Sequence, residues 1–130
     1  MTRAHAFSGS PFEAAIGFSR AVRAGDRVHV SGTAPVEDDG SSTPGDAEPQ
    51  AERCCALIDR ALRQLGAAPT DVVRTRMYLT DPADAEAVGR VHARWFGEAR
   101  PASTMVVVAA LLRPEWRVEI EAEALCAATT

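Results

Sequence analysis

The chain has 130 residues and a net charge of −4 at pH 7, from 14 basic and 18 acidic side chains. That length suits one domain with one hydrophobic core, since a chain of this size buries roughly two-thirds of its unfolded surface. The acidic balance and the lack of any basic block argue against nucleic acid or an anionic membrane surface as a partner. All 14 basic residues are Arg, so a Schiff-base lysine, a lysine general base and a P-loop lysine are excluded. The longest uncharged apolar run, Met105–Leu112, has eight residues, against about 20 for a bilayer span. The start of the chain has no basic segment leading into an apolar one, so the expectation is a cytoplasmic protein with no secretory signal. Cys54, Cys55 and Cys126 are odd in number, and His5, His29 and His92 are scattered. They form neither a disulfide framework nor a metal-ligand cluster, and no metal or cofactor is expected.

Residues 1–15 are weakly patterned and read as a loose lead-in to a core of about 16–125. Ser19–Arg23 and Arg27–Ser31 are short β-rich runs around Ala24-Gly25-Asp26, a hairpin signature. Gly32–Gly45 is dense in Pro, Gly, Ser and Asp and reads as loop. A helix follows, with Asp46 as cap, an apolar stripe through Ala51, Cys54, Cys55, Ile58, Ala61, Leu62 and Leu65, and Gly66 to close it. Arg74–Thr80 alternates Thr75, Met77 and Leu79 with Arg74, Arg76 and Tyr78, the period of a strand. Asp81-Pro82 opens a second helix with Ala85, Val88, Val91 or His92, Trp95 and Phe96 on its apolar side, and Gly97 ends it. Thr104–Leu112 is apolar on both faces and predicts a central strand. After the Arg113-Pro114-Glu115 turn, Arg117–Leu125 sets Val118, Ile120, Ala122 and Ala124 against Glu119, Glu121 and Glu123.

The order β-β-α-β-α-β-β predicts an α+β fold, with both helices on one face of a mixed sheet. Two helices leave the other face partly bare. The apolar run around Met105, Val107, Ala109 and Leu111 then calls for a further copy of the chain to cover it.

From Ile16-Gly17-Phe18, through Val30-Ser31-Gly32-Thr33-Ala34-Pro35, Asp71-Val72-Val73-Arg74-Thr75, Tyr78-Leu79-Thr80-Asp81 and Trp95-Phe96-Gly97 with Pro101-Ala102, to Val118-Glu119-Ile120-Glu121-Ala122, the sequence resembles the RidA (YjgF, or Rid) family. The resemblance covers about residues 16–125. It implies a chorismate-mutase-like fold assembled as a homotrimer, with the sheets lining a central barrel and small-molecule clefts between subunits. It also implies hydrolysis of reactive enamines and imines such as 2-aminoacrylate, without metal or organic cofactor. The chain departs from the family pattern at the substrate's anchor. The family's deaminases carry Pro-Ala-Arg-Ser, whose arginine grips the substrate carboxylate, whereas here the segment is Pro101-Ala102-Ser103-Thr104. A hydroxyl does not replace a bidentate guanidinium clamp. Phe18 stands in place of a frequent tyrosine, Met105 in place of a cysteine, and Gly89 where some members have asparagine. Gly17, Ser31, Gly32 and Glu119 remain.

Glu119 is thus the candidate general acid/base or water-positioning residue, its pKa open to being raised in an apolar cleft. The competing reading is one of three glutamates on a solvated strand face. Phe18, Ser31, Gly32, Ser103 and Met105 are candidate ligand contacts. As a nucleophile Ser103 has no histidine in a recognisable arrangement near it. Arg76 either supplies the lost cation or forms an ion pair within the Glu119, Glu121 and Glu123 face. His29 and His92 read as packed or boundary residues, and Cys54 and Cys55 as small core hydrophobes. The expected function is hydrolysis of a small imine, enamine or related carbonyl compound in an intersubunit cleft, distinct from 2-imino-acid deamination. The alternative is a non-catalytic trimer that binds a small metabolite as sensor or buffer. Ribonuclease activity, also attached to the family by name, fits poorly with an acidic chain without Lys.

Overall fold

The computed structural model describes residues 2–126. Its elements are β1 (Arg3–Ala6), α1 (Pro11–Ile16), β2 (Ala21–Ala24), β3 (Arg27–Thr33), α2 (Ala47–Gln64), β4 (Val72–Leu79), α3 (Ala85–Phe96), β5 (Ala102–Val107) and β6 (Val118–Leu125), with 3-10 turns at Pro69–Asp71 and Pro82–Asp84. The six strands form one mixed sheet in the order β1-β2-β3-β6-β4-β5. Every neighbouring pair is antiparallel except β4 with β5. The architecture is the expected α+β fold.

Local chemistry accounts for the elements. Gly25 takes φ +65° in the two-residue turn between β2 and β3, a left-handed conformation that a residue without Cβ adopts freely. On α2, the residues facing the sheet (Ala51, Cys54, Cys55, Ile58, Ala61 and Leu62) are buried. They pack with Val88, Val91 and Phe96 of α3 and with the inward residues of β3, β4 and β6 into one core. Fully burying an Ile, Leu or Phe side chain stabilises the fold by about 1.5–3 kcal/mol. Asp81 caps the 3-10 turn leading into α3 by accepting from Ala83 N at 2.9 Å. Asp46 occupies the N-cap of α2 without a side-chain cap bond.

Two expectations need correction. The segment read as a loose lead-in holds β1, which extends the sheet beyond β2, and α1, capped by Ser10. Four residues of strand and six of helix are too short to show a period. The apolar run at 104–112 is not a central strand. β5 spans Ala102–Val107, lies at the sheet edge, and is mostly exposed in the single chain. The centre belongs to β6, inserted between β3 and β4. The core-facing side of β6 is apolar and its other side carries the glutamates, so its alternation reports a strand with one face left uncovered.

Candidate active site

The site is built on an irregularity in β3. Val30 pairs with Ala122 and Thr33 with Ile120, so β3 carries one residue more than β6 across this interval. Such a bulge re-aims the chain, here at Ser31-Gly32 opposite Glu121, and the Glu119 side chain reaches over Gly32. A Cβ on Gly32 would lie 2.6 Å from Glu119 Oε2, so the missing side chain is the space the carboxylate occupies. Arg20 Nη2 donates to Gly32 O at 2.6 Å. Ser31 Oγ donates to Ser19 O at 2.7 Å, and Thr33 Oγ1 donates to Ser31 O at 2.7 Å. Phe18 lies under the Arg20 guanidinium, 5.6 Å from ring centroid to Cζ. Phe18, Ser31, Gly32 and Glu119 are therefore brought together around Arg20.

Burial pushes the Glu119 carboxyl above the ordinary glutamate range; the Arg20 charge opposes the shift and Glu121 adds to it. Burial likewise lowers the Arg20 pKa, against the pull of Glu13 and Glu119. Arg20 Nε is buried without a hydrogen-bond partner. The cation that neighbours Glu119 is thus Arg20. Arg76 points elsewhere: its Nη1 lies 3.2 Å from Glu123 Oε1 and 3.9 Å from Glu121 Oε2. That half-exposed pair contributes at most about 1 kcal/mol. Tyr78 donates its hydroxyl to Glu121, which raises the phenol's pKa. Arg74 Nη2 donates to Thr104 Oγ1 at 2.6 Å. Arg76 and Tyr78 thus join the glutamate face of β6, while Arg74 bonds to β5.

Ser103 and Met105 lie apart from this group. Ser103 is in register with Thr75, and Met105 with Met77, on the side of the sheet facing the helices. Glu119 is opposite Tyr78 on the other side, with β4 between β6 and β5. Strand spacing alone separates Ser103 from Glu119 by about 10 Å. The histidine on this side of the sheet, His92, is linked to Ser103 only through Thr75. Thr75 Oγ1 lies 2.8 Å from Ser103 Oγ and 2.7 Å from His92 Nε2. His29 is exposed on β3, and Cys54 and Cys55 are fully buried, their thiol pKa values raised by burial.

An open hollow of about 570 Å³ lies beside Phe18, lined also by His5, Phe7, Pro11, Glu13 and Gly17. Glu119 and Gly32 are not part of its lining. Among the described residues no group of three or more His, Cys, Asp or Glu is arranged to hold a metal. No helix among them is long and apolar enough to cross a membrane. Sequence reasoning missed Arg20, whose neighbour Gly32 comes close through the bulge. It also missed the pairing of Thr75 with His92 and Ser103, which depends on the parallel β4–β5 register. A strand alternation puts Arg20 on the face opposite Ala21, but nothing local to residue 20 signals the bulge.

The profile of the family described as Endoribonuclease L-PSP matches residues 8–126. The chain belongs to the YjgF/RidA family. A crystal structure of Rv2704 from Mycobacterium tuberculosis, described as a member of the YjgF/YER057c/UK114 family, superposes with a TM-score of 0.88 at 45% identity. It covers 95% of this chain and 99% of its own. The 3-aminoacrylate deaminase RutC of Acinetobacter baylyi is 34% identical over 77% of this chain and 79% of its own length. The 2-iminobutanoate/2-iminopropanoate deaminase of Mus musculus is 32% identical over 86% and 84%. In this YjgF/RidA protein, Gly32 leaves room for the Glu119 carboxylate, and Ser103 occupies the edge strand where the resemblance leads one to expect arginine.

Proposed function

We propose that the protein hydrolyses a small imine or enamine in clefts between the subunits of a homotrimer, with Glu119 as the general acid/base. The observation that carries this reading is the half-buried Glu119 carboxyl, held in the space left by Gly32, with a pKa raised by burial. A carboxyl with a raised pKa keeps its proton to higher pH than an ordinary glutamate, which suits a group that both gives and takes a proton. Water adds to the imine carbon as Glu119 gives its proton to the nitrogen and takes one from the added water; Glu119 then passes that proton to the nitrogen and recovers the hydroxyl proton as the carbonyl forms and ammonia leaves. Phe18, Ser31 and Gly32 line one wall. Ser103 and Met105 belong to the other wall, on the β5 edge of a neighbouring copy. The exposed apolar side chains support assembly: Phe7, Phe12 and Ile16 beside β1 and α1, and Val106, Val107 and Leu112 on and after β5. They sit toward opposite ends of the sheet, and two different patches that match head to tail close into a ring.

With Ser103 in place of the family's arginine, the substrate is an imine without a carboxylate to be gripped. The test is steady-state turnover of neutral imines beside 2-imino acids. Glu119→Gln is expected to lower kcat on the neutral substrates by about 10²–10⁴-fold. Rapid turnover of 2-aminoacrylate, lost in Glu119→Ala, would overturn the specificity. Ligand binding without turnover of any member of the panel would favour a metabolite-binding trimer instead.

A further inference from the structure

Three side chains from three elements form a hydrogen-bonded chain that ends at the surface. Thr75 on β4 is fully buried, with His92 Nε2 of α3 at 2.7 Å and Ser103 Oγ of β5 at 2.8 Å from its hydroxyl. Ser103 is exposed. A threonine hydroxyl has one proton, so it donates to one of these neighbours and accepts from the other. One choice therefore fixes the direction of the whole chain. His92 is packed against Phe96, ring centroids 5.2 Å apart, and burial lowers its pKa, which leaves the ring neutral at pH 7. An unprotonated ring nitrogen is a much more basic acceptor than an alcohol oxygen, which is why hydroxyl protons run toward imidazole in serine–histidine pairs. In the Nδ1–H tautomer of the neutral ring, Nε2 accepts from Thr75, Thr75 accepts from Ser103, and the Ser103 proton points inward. Its remaining lone pair faces out.

We propose that the Ser103 oxygen is a hydrogen-bond-accepting subsite, oriented by Thr75 and His92, that recognises an N–H group of the ligand (an amine or iminium nitrogen) and disfavours a carboxylate. The assignment deepens the proposed function and rests on its cleft reaching β5. Thr75 and His92 are positioning residues that act through Ser103. A carboxylate arriving here meets an oxygen whose proton is already committed inward, so acceptor faces acceptor.

Acetamidinium and acetate test this directly, being planar and of matching shape with opposite hydrogen-bond polarity. In NMR titrations of the full chain, acetamidinium is expected to shift the Ser103 and neighbouring β5 amide resonances at about tenfold lower concentration than acetate. The ¹⁵N signature of His92 is expected to be that of the Nδ1–H tautomer. Thr75→Val, close in shape but without the hydroxyl, is expected to abolish the preference, and Thr75→Ser to restore it. Ser103→Ala, at an exposed position that folding tolerates, is expected to abolish it too. An Nε2–H tautomer, absence of acetamidinium binding at β5, tighter binding of acetate, or a preference unchanged in Ser103→Ala overturns the assignment. Turnover is not part of the readout, so failure of the proposed hydrolysis and failure of this subsite are separate results.

Discussion

Glu119 and Gly32 act as one unit, and each gives a measurable consequence of their contact. Adding a methyl at position 32 meets the far end of a flexible side chain, at 2.6 Å from Glu119 Oε2. The carboxylate can swing away, so Gly32→Ala should change stability by no more than the about 0.5 kcal/mol typical of surface changes. It should still lower kcat at least tenfold, as a steady-state assay beside a urea melt would reveal. The raised Glu119 pKa also predicts a dependence of stability on pH. The folded state keeps a proton that the unfolded chain releases, so stability is lost as pH rises from the ordinary glutamate value through the raised one. Glu119→Gln has no such proton to lose. Its Tm should exceed that of the parent at pH 7, and the gap should close below about pH 4. A gap that persists at low pH would mean that packing, not ionisation, is responsible.

Among the elements, α2 is tied to two loops by a single buried amide. Gln50 is 1% exposed. Its Nε2 donates to Thr43 O at 3.2 Å and Glu115 O at 3.0 Å, and its Oε1 accepts from Arg117 N at 2.8 Å. This bond set fixes the loop after β3 and the turn before β6 against one helix, and thereby sets where β6 begins. Gln50→Leu leaves three backbone groups without that partner. The loss should be about 3 kcal/mol, read as a lower urea midpoint at unchanged slope. Both long helices and the alternation of β4 and β6 were legible in the sequence, because a buried stripe repeats with the period of the element that carries it. β1 and α1 were not, being short, and β5 was read as central because it is apolar on both faces. Among the described residues, that second apolar face has no partner.

At the scale of the whole molecule, the two exposed apolar patches give the sharpest test of assembly. In a ring, each interface joins the β1–α1 end of one copy to the β5 end of the next. Ile16→Asp and Val107→Asp should each yield monomers in light scattering. Mixed together, they keep one intact interface between unlike chains and should form dimers that do not close. Dimers from either variant alone would show that the interface joins like to like, and the head-to-tail ring would be wrong.

By itself the sequence determined the α+β class and the family. These are carried by residue identity and by local period, which survive without knowledge of contacts between distant segments. Tertiary structure decided which side chains meet. A one-residue bulge in β3 sets Gly32 and Arg20 against Glu119, and the parallel β4–β5 register joins Ser103 to Thr75 and His92. Both depend on register between strands far apart in the chain, and a shift of one residue would send every side chain to the opposite face.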